Sequence, residues 1–456
     1  MPDLELIDTI VIVMMENRSF DHMLGYLRLP RIGRRKDVDG LVSRKEAEYA
    51  NPFEGEAYHP FHMSSGPLPC DLPHERDEVQ TQLAVSDVVG GPTMTGFVEA
   101  YHAFTPVNRT RRPAPMGFLT PREIPITDFL ARSFAVCDRW FAPLPASTHP
   151  NRLMAISGYS ERDVTPGALL PDQDLLFDWL DRHHVRWRVY SAGLSFFALL
   201  PRLWDDILGD RFRPFPRLFD DIRSEGPATF PQVILVEPDY EDSPVHTSGQ
   251  ANDNHPPLAT GFGEQFLRRV YQALTLEPAR WSRMVAIFTY DEHGGFFDHV
   301  PPIRLRSDPP AGVVYPPFET TGVRVPAVVV SPFVEAGSVC KQVLDHTSVL
   351  QLIAERFDPG GSGYSPEVNA RRAAGIGSVS AALTRDSPRR DVPNVPLGPI
   401  EATAALTQLR ITRSPNQEAF EEAAARLVEE HPKEVAEQHP ELVAWYAMKE
   451  SSGRRR

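Results

Sequence analysis

The sequence predicts an α/β protein: a doubly wound, mainly parallel sheet with helices on both faces and loop insertions. Three observations carry that expectation. Residues 7–15, 230–236 and 284–290 are apolar runs without period-two alternation, as expected of strands buried on both faces. Amphipathic helical stretches at 172–182 and 263–276 alternate with such runs. The runs also end in carboxylates, Glu16, Glu237 and the pair Asp291 and Glu292. Open α/β sheets collect their ligands outside the carboxyl ends of the strands.

The first run, IDTIVIVMM, leads straight into Glu16, Asn17, Ser19, Asp21 and His22, and Gly25 then permits a turn or a close backbone approach. Residues 31–69, rich in charge, Gly and Pro, read as an irregular surface excursion. Val88, Val89, Met94, Phe97, Val98, Tyr101 and Phe104 give 85–104 an interrupted helical period. Residues 126–132 (ITDFLAR) predict a helix feeding a short strand within 133–141, and NRLMAISG after Pro150 a short helix ended by Gly158. A strand at 185–190 (VRWRVY) follows the helix at 172–182. In 323–330 (VRVPAVVV), Pro326 points to an edge strand or a bulge. Residues 347–357 (TSVLQLIAERF) set Leu350, Ile353 and Phe357 on one helix face. Beyond Asp358 the core signal fades. Residues 1–400 are therefore expected to form one domain and 401–456 a charged helical extension, with 416–450 an exposed packing helix or homo-oligomer contact and 454–456 disordered.

With 456 residues, 41% of them hydrophobic, the chain can bury one large core. A net charge of −14 argues against a nucleic-acid partner gripped through its phosphates, and an anionic membrane would repel the protein on average. The three cysteines, Cys70, Cys137 and Cys340, are scattered and lack C-x-x-C spacing, so no disulfide framework is expected; Cys137 reads as a small buried hydrophobe. MPDLELID has no basic n-region, and the run after it is too short to span a bilayer. The chain as written is thus expected to be cytoplasmic, without a transmembrane segment, or else a mature or mis-started form of an exported protein.

Three stretches carry chemistry. In TYDEHGGFFDHVPP, Asp291 and Glu292 close a strand as Glu16 closes the first, and Gly294 with Gly295 lets both carboxylates turn toward one ion. Oxygen donors of this kind suit a hard divalent cation. In LPASTHPNRLMAISG, Pro150 marks a first helical turn, which places the hydroxyl of Ser147 or Thr148 at a helix N-terminus, where amides and dipole favour a phosphate or sulfate. That field, with a bound cation, would make the hydroxyl a usable nucleophile. His74 in DLPHE and His255 in NDNHPP lie in Pro-bounded loops and suit donors aimed at a phosphoryl group or a leaving oxygen. His346 reads as a capping or supporting residue, and Arg152 as an exposed helix arginine in preference to a charge added to the phosphate.

MENRSFDHMLGYL, DLPHE, STHPNR, NDNHPP, YDEHGGFFDHVPP and DHTS, in this order, resemble the bacterial phosphoesterase family of phosphatidylcholine-type phospholipases C and AcpA-like acid phosphatases. The resemblance implies the alkaline phosphatase superfamily fold and one divalent metal ion, its identity open among Ca, Mg, Mn, Fe and Zn. It also implies metal ligands at Glu16, Asn17, Asp291, Glu292 and the nucleophile, and phosphate contacts from Asn17, His74 and His255. The superfamily pattern Thr, any residue, Pro, Asn selects Thr148, in THPN, over Ser147. Asp298, His299 and His346 would then orient the ligating groups. The implied reaction is hydrolysis of a phosphoester, phospholipid included, through a phosphothreonine. Acid phosphatase action on monoesters and a non-catalytic binding role are the alternatives. Sulfatase chemistry is disfavoured because Thr148 stands where a formylglycine precursor cysteine would. Two departures from the family are that the chain shows no twin-arginine signal and that its charged tail does not resemble the accessory β modules of larger phospholipases C.

Overall fold

The computed structural model describes residues 3–64, 67–104, 110–402 and 413–453, so the disorder expected at 454–456 lies outside the described residues. Eight strands form the central sheet: β1 (Thr9–Met15), β2 (Ala135–Cys137), β3 (Trp187–Ser191), β4 (Phe212–Pro214), β5 (Val233–Glu237), β6 (Met284–Tyr290), β7 (Ala327–Val330) and β8 (Val339–Cys340). Their order is β4-β3-β5-β1-β6-β7-β2-β8. All neighbours are parallel except β7, which runs antiparallel to both β6 and β2. The expected sheet is present, with helices on both faces.

The apolar runs read from the sequence are its centre. All seven residues of β6 are buried, as are six of seven in β1, because helices and loops cover both sides. Register then places the chemistry. Met15 lies opposite Tyr290, so Glu16 and Asp291 leave neighbouring strands side by side at the carboxyl edge. Helix α2 (Thr148–Ser157) packs on α4 (Thr347–Phe357), and α3 (Gly261–Leu274) on Pro125–Ser133.

Several elements differ from the sequence expectation. Residues 85–104 are two elements, a short hairpin of Val85–Ser86 with Gly91–Pro92 and then the helix Phe97–Phe104, because Gly90, Gly91 and Pro92 break the helical period. Pro326 lies just before an interior strand rather than at an edge or bulge, and its carbonyl accepts from the Thr289 hydroxyl at 3.1 Å. The helix expected at 172–182 begins only at Leu176, where Asp178 takes the Leu175 N–H at 2.7 Å. In the tail, α5 (Pro415–Glu430) is a packing helix but not an exposed one: Asn416, Ala419, Phe420, Ala423, Ala424 and Leu427 are buried against the core. No disulfide joins Cys70, Cys137 and Cys340, and the last two are buried.

Candidate functional site

The carboxyl edge of β1, β5 and β6 gathers most of the residues singled out from the sequence. Asn17 turns the chain after β1 with a left-handed φ of 60°, and Gly294 and Gly295 turn it after β6 at 61° and 72°. A Cβ on Gly294 would lie 2.1 Å from the Asn17 carbonyl oxygen, and one on Gly295 2.5 Å from that of Pro73, so only glycine lets the chain close on the Asn17 turn at the first position and on the His74 loop at the second. The Asn17 N–H donates to Asp291 Oδ1 at 3.1 Å, and the Arg18 N–H to the Glu292 carbonyl at 3.0 Å, locking the two strand ends together. Arg18 also holds the His255 loop, donating from Nε to the Asn254 carbonyl and from Nη2 to that of Leu258.

His74 and His255 converge on Asn17. The His74 Nδ1 faces the Leu72 carbonyl at 2.7 Å and the His255 Nδ1 faces that of Pro256; a carbonyl only accepts, so each Nδ1 carries a proton. Each Nε2 is then turned to Asn17 Nδ2, at 3.5 Å from His74 and 2.9 Å from His255. Burial pulls the His74 imidazole down, but the charges of Glu292, Asp71 and Glu75 outweigh it and push its pKa up to about 10.

Thr148 opens α2 and is buried. Ser147, the residue before it, gives its hydroxyl to Glu75 Oε2 at 2.6 Å and shares it with Thr165 Oγ1 at 2.8 Å. No described side chain takes the Thr148 hydroxyl.

Arg152, expected on the surface, is buried and sits between two of the expected ligands, donating to Glu16 Oε1 at 3.0 Å and to Asp291 Oδ2 at 3.2 Å. It lies over the Phe196 and Tyr240 rings, and the Tyr240 hydroxyl closes the chain to Glu237 Oε1 at 3.1 Å. One guanidinium does not neutralise the cluster. Burial pushes Glu16 and Asp291 up despite Arg152. Burial acts on Glu292 too, but His74 and the hydrogen bond from His293 outweigh it and hold this carboxyl below its usual range.

His346 accepts from Trp140 Nε1 at 3.1 Å and therefore donates from Nε2 to the Asp291 carbonyl at 2.6 Å, so it fixes the main chain of Asp291 and caps nothing. Asp298 and His299 make no hydrogen bond to an expected ligand. They join Asp21 and Arg324 in a separate buried cluster, where the Arg324 guanidinium reaches Asp298 at 2.9 Å and Asp21 at 3.3 Å.

The sequence pattern of the Phosphoesterase family matches residues 7–358, a span that contains every one of these motifs. The chain belongs to the phosphoesterase family. Its similarity to non-specific phospholipase C1 of Arabidopsis thaliana is 31% identity over 85% of this chain and 73% of the plant protein. Non-hemolytic phospholipase C of Burkholderia pseudomallei is 28% identical over 86% of this chain and 61% of its own length. Among solved structures, a protein in the alkaline phosphatase superfamily from Vibrio parahaemolyticus aligns over 68% of this chain and 82% of its own, at 9% identity and a TM-score of 0.33. As a member of this family the protein is a hydrolase acting on phosphoesters.

Two groups of ligand-type side chains come close together among the described residues: Asp71 with His74 and His255, and Asp21 with Asp298 and His299. In the second, Arg324 already supplies the positive charge. The oxygens at the strand ends behave differently. Glu16 Oε2, Asn17 Oδ1 and Glu292 Oε1 are buried and accept no hydrogen bond. Leaving three buried acceptors bare, two of them on carboxylates, is costly unless a cation takes them. The donor set is all oxygen and fits a hard divalent ion.

Proposed function

We propose that this phosphoesterase cleaves phosphodiesters in the manner of a phospholipase C, with Thr148 as nucleophile and one divalent cation held by Glu16, Asn17, Thr148, Asp291 and Glu292. The observation that carries this reading is the trio of bare buried oxygens on Glu16, Asn17 and Glu292. The chain's similarity to phospholipases C from a plant and a bacterium supports the substrate class.

When bound, the cation would polarise the phosphoryl oxygens and lower the pKa of the hydroxyl beside it. The residues do the rest. Thr148 Oγ attacks phosphorus from the first turn of α2, its hydroxyl proton passing to solvent water as the O–P bond forms. As the bond to the glycerol oxygen breaks, that oxygen takes a proton from the Nε2 of His74, which the surrounding carboxylates keep protonated. The Nδ1 of His74 and that of His255 each stay fixed on a carbonyl, and Asn17 Nδ2 donates to the Nε2 of His255, which keeps that ring in place beside the phosphoryl group. Diacylglycerol leaves, and water then cleaves the phosphothreonine and releases the phosphoalcohol. Arg152 keeps Glu16 and Asp291 in position.

The test pairs elemental analysis with kcat/KM on phosphatidylcholine in mixed micelles against a soluble monoester at one pH. Asp291→Ala and Glu16→Ala should lose metal and activity together, since loss of one oxygen donor weakens the whole site. Full activity with intact metal stoichiometry in either variant would defeat the ligand assignment. A strong preference for the monoester would make the enzyme acid-phosphatase-like.

A further inference from the structure

Two hairpins joined to the His74 segment end in apolar tips exposed to solvent. The first, Val85–Ser86 with Gly91–Pro92, has both stems resting on His293, the neighbour of Glu292. On one side, Gln82 Oε1 meets His293 Nε2 at 2.7 Å; on the other, the Phe97 ring stands edge-on to the imidazole at 6.1 Å. Between these anchors the loop holds Val85, Val88 and Val89 out at 65%, 98% and 71% exposure. The second hairpin, Arg304–Ser307 with Phe318–Thr320, carries Val314 at 98% exposure. The two are tied together where Arg304 donates to the Gly90 carbonyl. Arg76, at the start of helix α1 (Arg76–Leu83) just after His74, donates to the carbonyls of Pro316 and Pro317 at 2.6 and 3.0 Å. Single exposed valines are ordinary; four on two mutually bonded hairpins, both tethered to the segment that carries His74, form a surface.

We propose that these hairpin tips dock the enzyme on a zwitterionic phospholipid surface, holding the site against the layer from which it draws substrate. This rests on the phospholipase C reading above. The chemistry of the tips selects the lipid. Neither 84–92 nor 308–316 contains Lys or Arg, and Asp87 is exposed between Val85 and Val88, so with a net charge of −14 the surface is repelled by anionic lipid and matched to choline ammonium groups.

The experiment compares the wild type with Val88→Asp/Val89→Asp and with Val314→Asp, none of which touches the catalytic groups. Cosedimentation with phosphatidylcholine and with phosphatidylglycerol vesicles is measured beside turnover of phosphatidylcholine vesicles and of dihexanoyl phosphatidylcholine kept monomeric. The wild type should prefer phosphatidylcholine vesicles. The variants should lose roughly tenfold or more in vesicle binding and vesicle turnover while keeping turnover of the monomeric lipid. Unchanged vesicle binding, an equal loss on the monomeric lipid, a wild-type preference for phosphatidylglycerol, or conversion of a wild-type oligomer to monomer by the substitutions would overturn the proposal. If the wild type cleaves neither form of phosphatidylcholine, the phospholipase C reading fails, and the vesicle-binding comparison still judges the surface by itself.

Discussion

Two adjacent hydroxyls at the head of α2 have different work. Ser147 is spent on Glu75 and Thr165, whereas Thr148 is not taken by any described side chain. Thr148→Ala should therefore abolish turnover. Ser147→Ala should keep a substantial fraction while costing about 1–3 kcal/mol of stability through the partners it strands. A phosphoenzyme label that maps by mass spectrometry to Ser147 would reverse the assignment. Arg152 offers a second test, because it holds two buried carboxylates at once. Arg152→Leu should cost about 3–5 kcal/mol in denaturant titrations run with a chelator, and less with excess divalent cation, since a metal can take over part of the charge. An equal loss in both conditions would mean that no cation sits beside Glu16. This residue was misjudged from the sequence for a physical reason: STHPNR marks it as polar on a short helix, and nothing local reveals that both neighbouring strand ends turn their carboxylates toward it.

At the scale of elements, what could be read was what chain-local periodicity records. The runs that became β1 and β6 and the helix Thr347–Phe357 were legible because continuous burial and a 3.6-residue period leave a pattern in composition. Strands β8, with two residues, and β4, with three, are too short to leave one and exist because the sheet edge beside them is open to pairing. The site motifs were legible because they cluster where strands stop. Their supports Tyr240 and His149 were not, since each acts through a partner far away in sequence, Arg152 and Asn416. Helix α5 is the clearest case: Asn416 Oδ1 accepts from His149 Nε2 at 2.8 Å, beside Thr148, and its Nδ2 reaches Asp242 at 3.0 Å. Asn416→Ala deprives both groups of a buried partner and should lower stability by about 2 kcal/mol, read from the urea midpoint at constant slope. A shift within error of zero would show that the α5 contact is idle.

For the molecule as a whole, pH acts on the cluster beneath the site. His299 Nδ1 lies 2.6 Å from Asp21 and its Nε2 3.4 Å from Asp39. Burial pulls this imidazole down, but Asp21 and Asp39 outweigh it and push its pKa up to about 9. A cation raised in this way contributes stability that is fully present below the unfolded value of about 6.5 and is lost as pH climbs through the folded one. The unfolding free energy should accordingly fall between about pH 6.5 and 9, by on the order of 3 kcal/mol at most, and His299→Gln should flatten that slope. The same slope in variant and wild type would count against the pairing. The wide separation of the partners at the site also bears on synthesis. Glu16, its salt-bridge partner Arg152, Asp291 and Asn416 span nearly the whole chain. At translation rates of roughly 5–20 residues per second, the stretch from Glu16 to Asn416 takes about 20–80 s to emerge. Glu16 waits about 7–27 s of that time for Arg152, and His149 waits most of the remainder for Asn416, so the nascent chain depends on the ribosome and its attendant chaperones until α5 arrives.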